Sequence, residues 1–302
     1  MQFTKMHSLG NDFVVIDDRT LKLQRLPQLA KDLCHRRLGI GADQLLLLCH
    51  SKTADFKMRI FNADGSEVEM CGNGIRCLGK YIWDRLIKSE KLKVKSLLNF
   101  LSLETPAGVI HLQKTGKLIK VDMGEPVFEP EKIPVKASQK SKVKSQKLKI
   151  TRHPSLVTRY PSLIADYPLQ VRDRTFKITC VSMGNPHAVI VVKDVERFPV
   201  GEYGSIIENY KIFPKRTNVE FIQIMNRSNI KMRVWERGAG ETTACGTGAS
   251  ASAVAAALLN LTDRETAVHL PGGKLLIDWS PKDNRVYMTG DAVEVFEGEL
   301  EI

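Results

Sequence analysis

Hydrophobic positions recur along this chain with two different periods. Ile75, Leu78, Ile82 and Leu86 are spaced by three, four and four, which predicts a helix over 73–87 with one buried face. From 247 to 260 the chain is alanine-rich and apolar almost all round, the pattern of a helix covered on every side. Short runs rich in branched and aromatic residues predict strands at 13–17, 44–48, 57–61, 188–192, 219–224 and 231–235. Turn residues predict hairpins within 101–110 and within 269–279, around Gly272-Gly273. Many strands with few helices make an α+β chain.

These elements repeat at one offset, 174 residues. Ser8-Leu9-Gly10-Asn11 returns as Ser182-Met183-Gly184-Asn185, and Val15-Ile16 as Val189-Ile190. Gln44 falls on Asn218, and Lys57-Met58-Arg59-Ile60-Phe61 on Lys231-Met232-Arg233-Val234-Trp235. Cys71-Gly72-Asn73-Gly74 falls on Cys245-Gly246-Thr247-Gly248. Separate matches in one register over more than 60 residues mark two copies of one architecture, 1–128 and 175–302. Each copy reads as a strand-rich, barrel-like sheet around a central helix, so the chain is two pseudo-symmetric domains.

Composition narrows the picture. With 43% hydrophobic residues the chain can build a real core. No run of 18 apolar residues occurs, and the N-terminus lacks the apolar stretch of a signal peptide, so the expected location is cytoplasmic, with no membrane partner. Six cysteines in a chain this long do not form a disulfide scaffold; in a reducing compartment they are buried thiols, ligands or nucleophiles. The net charge of +11 suggests nucleic acid, but residues 132–152 alone hold seven lysines, one arginine and no acid. Basicity confined to one segment without aromatic residues is a solvated stretch, so no nucleic-acid partner is expected.

The two Cys-Gly-x-Gly units carry the candidate chemistry. A cysteine at a helix start meets free N–H groups and the positive end of the dipole, which favour a thiolate. The same N–H groups hold a carboxylate or phosphate, and the glycines let it approach. Two anions at one helix end would repel, which a neutral thiol would relieve. Taken singly, Cys-Gly at a helix start is a common buried turn. Zinc would want paired ligand motifs, and a phosphate loop would want a longer glycine run ending in Lys-Ser/Thr; both are missing. Duplication favours chemistry: two equivalent thiols reaching one carbon from opposite faces are what inversion by two bases requires. Asn11, Asn185, Gln44 and Asn218 are pairwise equivalent amides, suited to amino and carboxylate groups as well as to turns. The repeat breaks where Asn62-Ala63 is replaced by Glu236-Arg237, an anion and a cation fit for a zwitterion or for the surface. His187 has no counterpart, since Phe13 aligns with it; it tunes a thiol or packs.

The chain resembles the diaminopimelate epimerase family over nearly its whole length. The resemblance is carried by Lys5–Phe13, Gly39–Gln44, Phe61–Glu67, Met70–Gly74, Gly184–His187, Thr217–Glu220, Trp235–Gly238 and Ala244–Gly248. It implies interconversion of LL- and meso-diaminopimelate, a lysine and peptidoglycan precursor, without pyridoxal phosphate, metal or other cofactor. By resemblance Cys71 and Cys245 are the acid/base pair. Gly72, Asn73, Gly246 and Thr247 hold the carboxylate of the inverted centre. Asn11, Asn62, Asn185, Asn218, Glu236 and Arg237 read the distal amino-acid end, Gln44 lines the site, and His187 and Glu236 tune the thiols.

The family pattern also returns the last strands to the first half, giving domains 1–120 with 288–302 and 121–287. The basic stretch at 130–155 carries no family motif and falls in the second. A C-terminal tyrosine used in dimer formation by some members is Phe296 here; a homodimer is the expected assembly. The rival readings are a related two-base racemase or isomerase acting on another small amino acid, such as proline, and a basic docking protein on an inactive scaffold. Glu236-Arg237 argues against the first and the two retained cysteines against the second.

Overall fold

A computed structural model describes residues 1–87, 95–136 and 163–301. The basic stretch from 137 onward lies outside the described residues. The chain divides into two compact units, Met1–Asp122 with Thr289–Ile302, and Met123–Met288.

In the first unit the chain runs through β1 (Gln2–Ser8), β2 (Asn11–Asp17), α1 (Leu26–Cys34), β3 (Gln44–Cys49), β4 (Phe56–Asn62), the short β5 (Glu67–Val68), α2 (Gly72–Tyr81), β6 (Phe100–Thr105), β7 (Gly108–Thr115) and β8 (Leu118–Asp122). Neighbours along the sheet pair as β1–β2–β3–β4–β6–β7–β8, with β2–β3 and β4–β6 parallel and the others antiparallel. The last strand of the chain, β18 (Val293–Glu299), adds antiparallel to β1. Helix α2 packs against β1, β2, β3, β4 and β8, so the sheet wraps it.

The second unit holds β9 (Tyr167–Val171), β10 (Arg174–Ser182), β11 (Pro186–Val191), α3 (Val200–Glu208), β12 (Asn218–Asn226), β13 (Asn229–Glu236), β14 (Gly240–Thr242), α4 (Gly246–Leu258), β15 (Glu265–Leu270) and β16 (Gly273–Trp279), followed by β17 (Val286–Gly290). Pairing runs β9–β10–β11–β12–β13–β15–β16, with β11–β12 and β13–β15 parallel. The units therefore share one topology and one register: Phe13 faces Gln44 in the first and His187 faces Asn218 in the second, 174 residues on. Helices α1 and α3 obey the same offset. Beyond the central helices it breaks, because the first copy has the longer connection from helix to hairpin.

Burial explains the strand sequences. In β3, Leu45 to Leu48 are all fully buried. Leu45 and Leu47 join Val14, Ile16 and the Leu26, Ala30, Leu33 and Cys34 stripe of α1 on one face. Leu46 turns to the other face and meets α2 at Gly74, where a Cβ would sit only 3.1 Å from Leu46 Cδ2. A strand covered on both faces reads as a continuous apolar run rather than an alternating one. Helix α4 is buried along almost its whole length, as its composition predicts. The helix expected over 73–87 is α-helical only to Tyr81 and continues as a wider π turn over Ile82–Ile87. No helix among the described residues is long and apolar enough to cross a membrane.

Candidate active site

Both Cys-Gly-x-Gly units fold as expected from their helix-start signals. Cys71 and Cys245 are the residues preceding the first turns of α2 and α4, with extended backbones at φ −140°, ψ 112° and φ −132°, ψ 112°. The first N–H groups of a helix have no acceptor within it.

In the first unit Asn11, Cys71 and Asn73 come together. Asn11 Oδ1 accepts from Asn73 Nδ2 at 3.4 Å and from the Cys71 thiol at 3.6 Å. The amide is oriented from behind, because Asn11 Nδ2 donates to Asp43 Oδ2 at 2.9 Å. Asp43 and Asp12 are bridged by Arg36, and Lys5 pairs with Asp12. Burial pushes the Asp12 carboxyl up, but hydrogen bonds from Arg36 and Lys5 outweigh it and hold the group well below the usual carboxylate range. Gln44 and Asn62 meet across β3 and β4, Gln44 Nε2 donating to Asn62 Oδ1 at 2.8 Å. Asn62 Nδ2 continues to Ser66 Oγ at 2.9 Å. Gln44 Oε1 is buried without a hydrogen-bond partner among the described residues, an acceptor suited to a substrate ammonium.

In the second unit Asn185, His187, Cys245 and Thr247 come together. Asn185 Nδ2 donates to Thr247 Oγ1 at 3.3 Å, the counterpart of the Asn73–Asn11 contact. Thr247 Oγ1 lies 3.5 Å from Cys245 Sγ, and Gly248 N–H donates to that sulfur at 3.4 Å. With its Nδ2 committed to Thr247, Asn185 turns Oδ1 toward His187 Nε2, 2.8 Å away. His187 Nδ1 lies 2.6 Å from Glu220 Oε1, and both side chains are fully buried. Burial pushes the Glu220 carboxyl up, and His187 opposes that. Burial also pushes the Cys245 thiol well above its usual range; the Glu236 and Glu220 carboxylates push the same way, and Thr247 and Gly248 oppose by less. Cys245 is a neutral thiol in this setting.

Asn218 and Arg237 meet through the backbone, Arg237 N–H donating to Asn218 Oδ1 at 2.9 Å. The Arg237 guanidinium is exposed and donates to Lys215 O at 3.2 Å, while Glu236 accepts from the Thr242 hydroxyl. The acid and the base make no ion pair with each other, so each keeps hydrogen-bonding capacity. Among the described residues no three His, Cys, Asp or Glu side chains gather as metal ligands.

Glu220 and Glu208 join the site without having been expected from the sequence. Glu220 had a signal, a single acid inside the apolar strand run 219–224, but its helix-facing position was invisible. Glu208, at the end of α3, is buried and accepts from Trp235 Nε1 at 2.7 Å, Gly238 N at 2.9 Å and Arg216 Nη1 at 3.1 Å. It pins the turn carrying Glu236 and Arg237. Nothing in its sequence neighbourhood marks that role.

A profile of the diaminopimelate epimerase family matches residues 3–129 and 179–295, one segment per copy of the repeat. The diaminopimelate epimerase of Acetivibrio thermocellus is 45% identical over 307 residues, covering 100% of this chain and 99% of that protein. The chain belongs to the diaminopimelate epimerase family. Another member, from Moorella thermoacetica, is 48% identical and covers 99% of each chain. Likeness of fold reaches further than the family. The Bacillus anthracis phenazine biosynthesis protein of the PhzF family superposes with a TM-score of 0.66 at 18% identity, over 100% of this chain and 99% of that one. At that identity it speaks for the α+β architecture alone.

Proposed function

We propose that the protein is a diaminopimelate epimerase, interconverting the LL and meso forms for lysine and peptidoglycan synthesis, with Cys71 and Cys245 as its two acid/base groups. The observation that carries this is the pair of equivalent helix starts, each with a thiol and an amide or hydroxyl partner, in a chain of this family. The α-hydrogen of an amino acid is a weak acid, so its removal needs a thiolate close by and stabilisation of the carbanion. The N–H groups of Gly72 and Asn73, and of Gly246 and Thr247, suit a carboxylate on which that charge develops. A thiolate takes the proton from one face and a thiol delivers one to the other. The buried, neutral Cys245 suits the delivering role.

Asn11, Gln44, Asn62, Asn185, Asn218, Glu236 and Arg237 bind the remainder of the substrate. Glu236 suits the distal ammonium and Arg237 the distal carboxylate. Substrates without a distal ammonium and carboxylate forfeit those contacts, which separates this reading from a proline racemase. His187 acts on Cys245 through Asn185 and Thr247. We place the enzyme in the cytoplasm as a homodimer; six cysteines without scaffold spacing accord with a reducing compartment. Cys71→Ala and Cys245→Ala each abolish epimerisation of LL-diaminopimelate by the reduced enzyme; full turnover in either variant would overturn the two-thiol reading.

A further inference from the structure

The two helix starts share their backbone geometry but not their charges. Arg76, in the second turn of α2, is fully buried. Its Nη1 donates to Gly72 O at 3.4 Å and its Nη2 to Asn73 Oδ1 at 2.7 Å, so the guanidinium lies against the first turn, beside Cys71. Nη2 and Nε also reach Ser8 Oγ at 2.6 and 3.2 Å, and Nε reaches Asp291 O at 3.2 Å. A buried arginine costs solvation, and burial lowers its proton affinity, while negative charge at Cys77, Cys71 or Asp291 raises it. The interaction is reciprocal: the guanidinium favours negative charge at Cys71, against the Asn11 Oδ1 acceptor 3.6 Å from its sulfur, which favours the thiol.

The equivalent position in the second unit is Ser250. Its hydroxyl donates to Gly246 O at 3.0 Å, filling the place of the Arg76–Gly72 bond without a charge. There the nearby ionisable groups are two acids and His187, whose Nδ1 lies 2.6 Å from Glu220 Oε1. A Cβ on Gly248 would lie 2.8 Å from Glu220 Oε1, so Glu220 presses on the first turn of α4, and Glu236 adds a second carboxylate. The charged groups on the Cys71 side include Asp291 from the β17–β18 turn and, behind Asn11, the Lys5, Asp12, Arg36 and Asp43 cluster, whose opposite charges are paired. Burial pushes the neighbouring Cys77 thiol well up and keeps it neutral.

We propose that Arg76 is a positioning residue that makes Cys71 the resting thiolate of the pair, while Ser250 and the acids around α4 leave Cys245 the resting thiol. The free enzyme then presents Cys71 as base and Cys245 as acid. In one turnover the α-proton moves to Cys71 Sγ, the Cys245 thiol proton moves to the opposite face of the carbon, and the negative charge passes from Cys71 to Cys245. Exchange with solvent restores the resting state. This rests on the two-thiol reading, but its test is independent of turnover.

The test is the pH dependence of iodoacetamide alkylation of each cysteine in the reduced, substrate-free protein, resolved by peptide mass spectrometry. In the wild type the Cys71 midpoint lies below that of Cys245. Arg76→Met raises the Cys71 midpoint by about one pH unit or more, and Arg76→Lys, which keeps the charge, restores most of the shift. A wild-type Cys71 midpoint at or above that of Cys245 would overturn the proposal, even if the methionine variant fails to fold. So would an unchanged midpoint in Arg76→Met, or a lysine variant no better than the methionine one, which would make Arg76 a packing residue only. Absence of epimerisation alongside the expected midpoints would sink the substrate reading and leave the assignment of charge intact.

Discussion

Asn218 is held from two sides: its Nδ2 donates to Pro186 O at 2.9 Å and its Oδ1 accepts the Arg237 N–H at 2.9 Å. It fixes the backbone from which Arg237 projects. Asn218→Ala removes two bonds worth about 0.5–1.5 kcal/mol each. KM for diaminopimelate therefore rises roughly tenfold while the Cys71 alkylation profile stays put; an unchanged KM would contradict the binding role. Buried thiols predict the alkaline behaviour of the fold. Burial pushes the Cys34 thiol up to about 11. A raised value means the folded state keeps its proton longer than the unfolded chain, whose thiols ionise near 8.5. That stability is intact below the unfolded value and is lost as pH rises toward the folded one. Tm therefore falls between about pH 8 and 11, and falls less steeply in Cys34→Ala; equal slopes would show that Cys34 takes no part. At this scale much of the candidate site was legible. The cysteines, amides and Glu236-Arg237 announced themselves by repeating, or by failing to repeat, at one offset. Glu220, Glu208 and Arg76 did not, because their importance lies in what they press against.

Among the elements, the offset of 174 was readable because the register of β2, β3 and β4 against one another is preserved in β11, β12 and β13. Period alone could not show that β3 is covered on both faces, since four consecutive leucines fit a helix segment equally well. Nor could it show where α2 ends, because the apolar spacing of Ile75 to Leu86 runs on through the π turn. The layering makes its own prediction. Leu46 fills the space between β3 and α2, so Leu46→Ala destabilises the protein by about 2–5 kcal/mol in denaturant titration; a loss below about 1 kcal/mol would mean the layer collapses freely. Gly248→Ala is a sharper probe of the second helix start. The added methyl would meet Glu220 Oε1 at 2.8 Å and Cys245 Sγ at 3.3 Å. Activity falls strongly while far-ultraviolet circular dichroism is retained; wild-type kcat/KM would contradict the close packing.

For the whole molecule, duplication is the organising fact: one α+β architecture is used twice and supplied with unlike charges at its two helix starts. The basic stretch gives most of the net charge of +11 and bears no family motif, and its later part lies outside the described residues. Sequence therefore yields its composition and nothing of its conformation. The assembly expected from the family is a homodimer. Phe296, on the outer strand β18, is 46% exposed and packs edge-on against Phe3 at 6.0 Å. Sedimentation at micromolar concentration gives twice the 33.9 kDa chain mass; a species of one chain mass would show that the phenylalanine does not sustain the contact. Proton NMR of the reduced enzyme with LL-diaminopimelate in deuterated water tests inversion by two thiols. Two thiols working from opposite faces predict that meso-diaminopimelate forms with deuterium at the inverted carbon, while unreacted LL substrate initially keeps its α-proton. Deuterium entering recovered LL substrate before any meso form appears, or no exchange at all, would contradict the two-thiol mechanism.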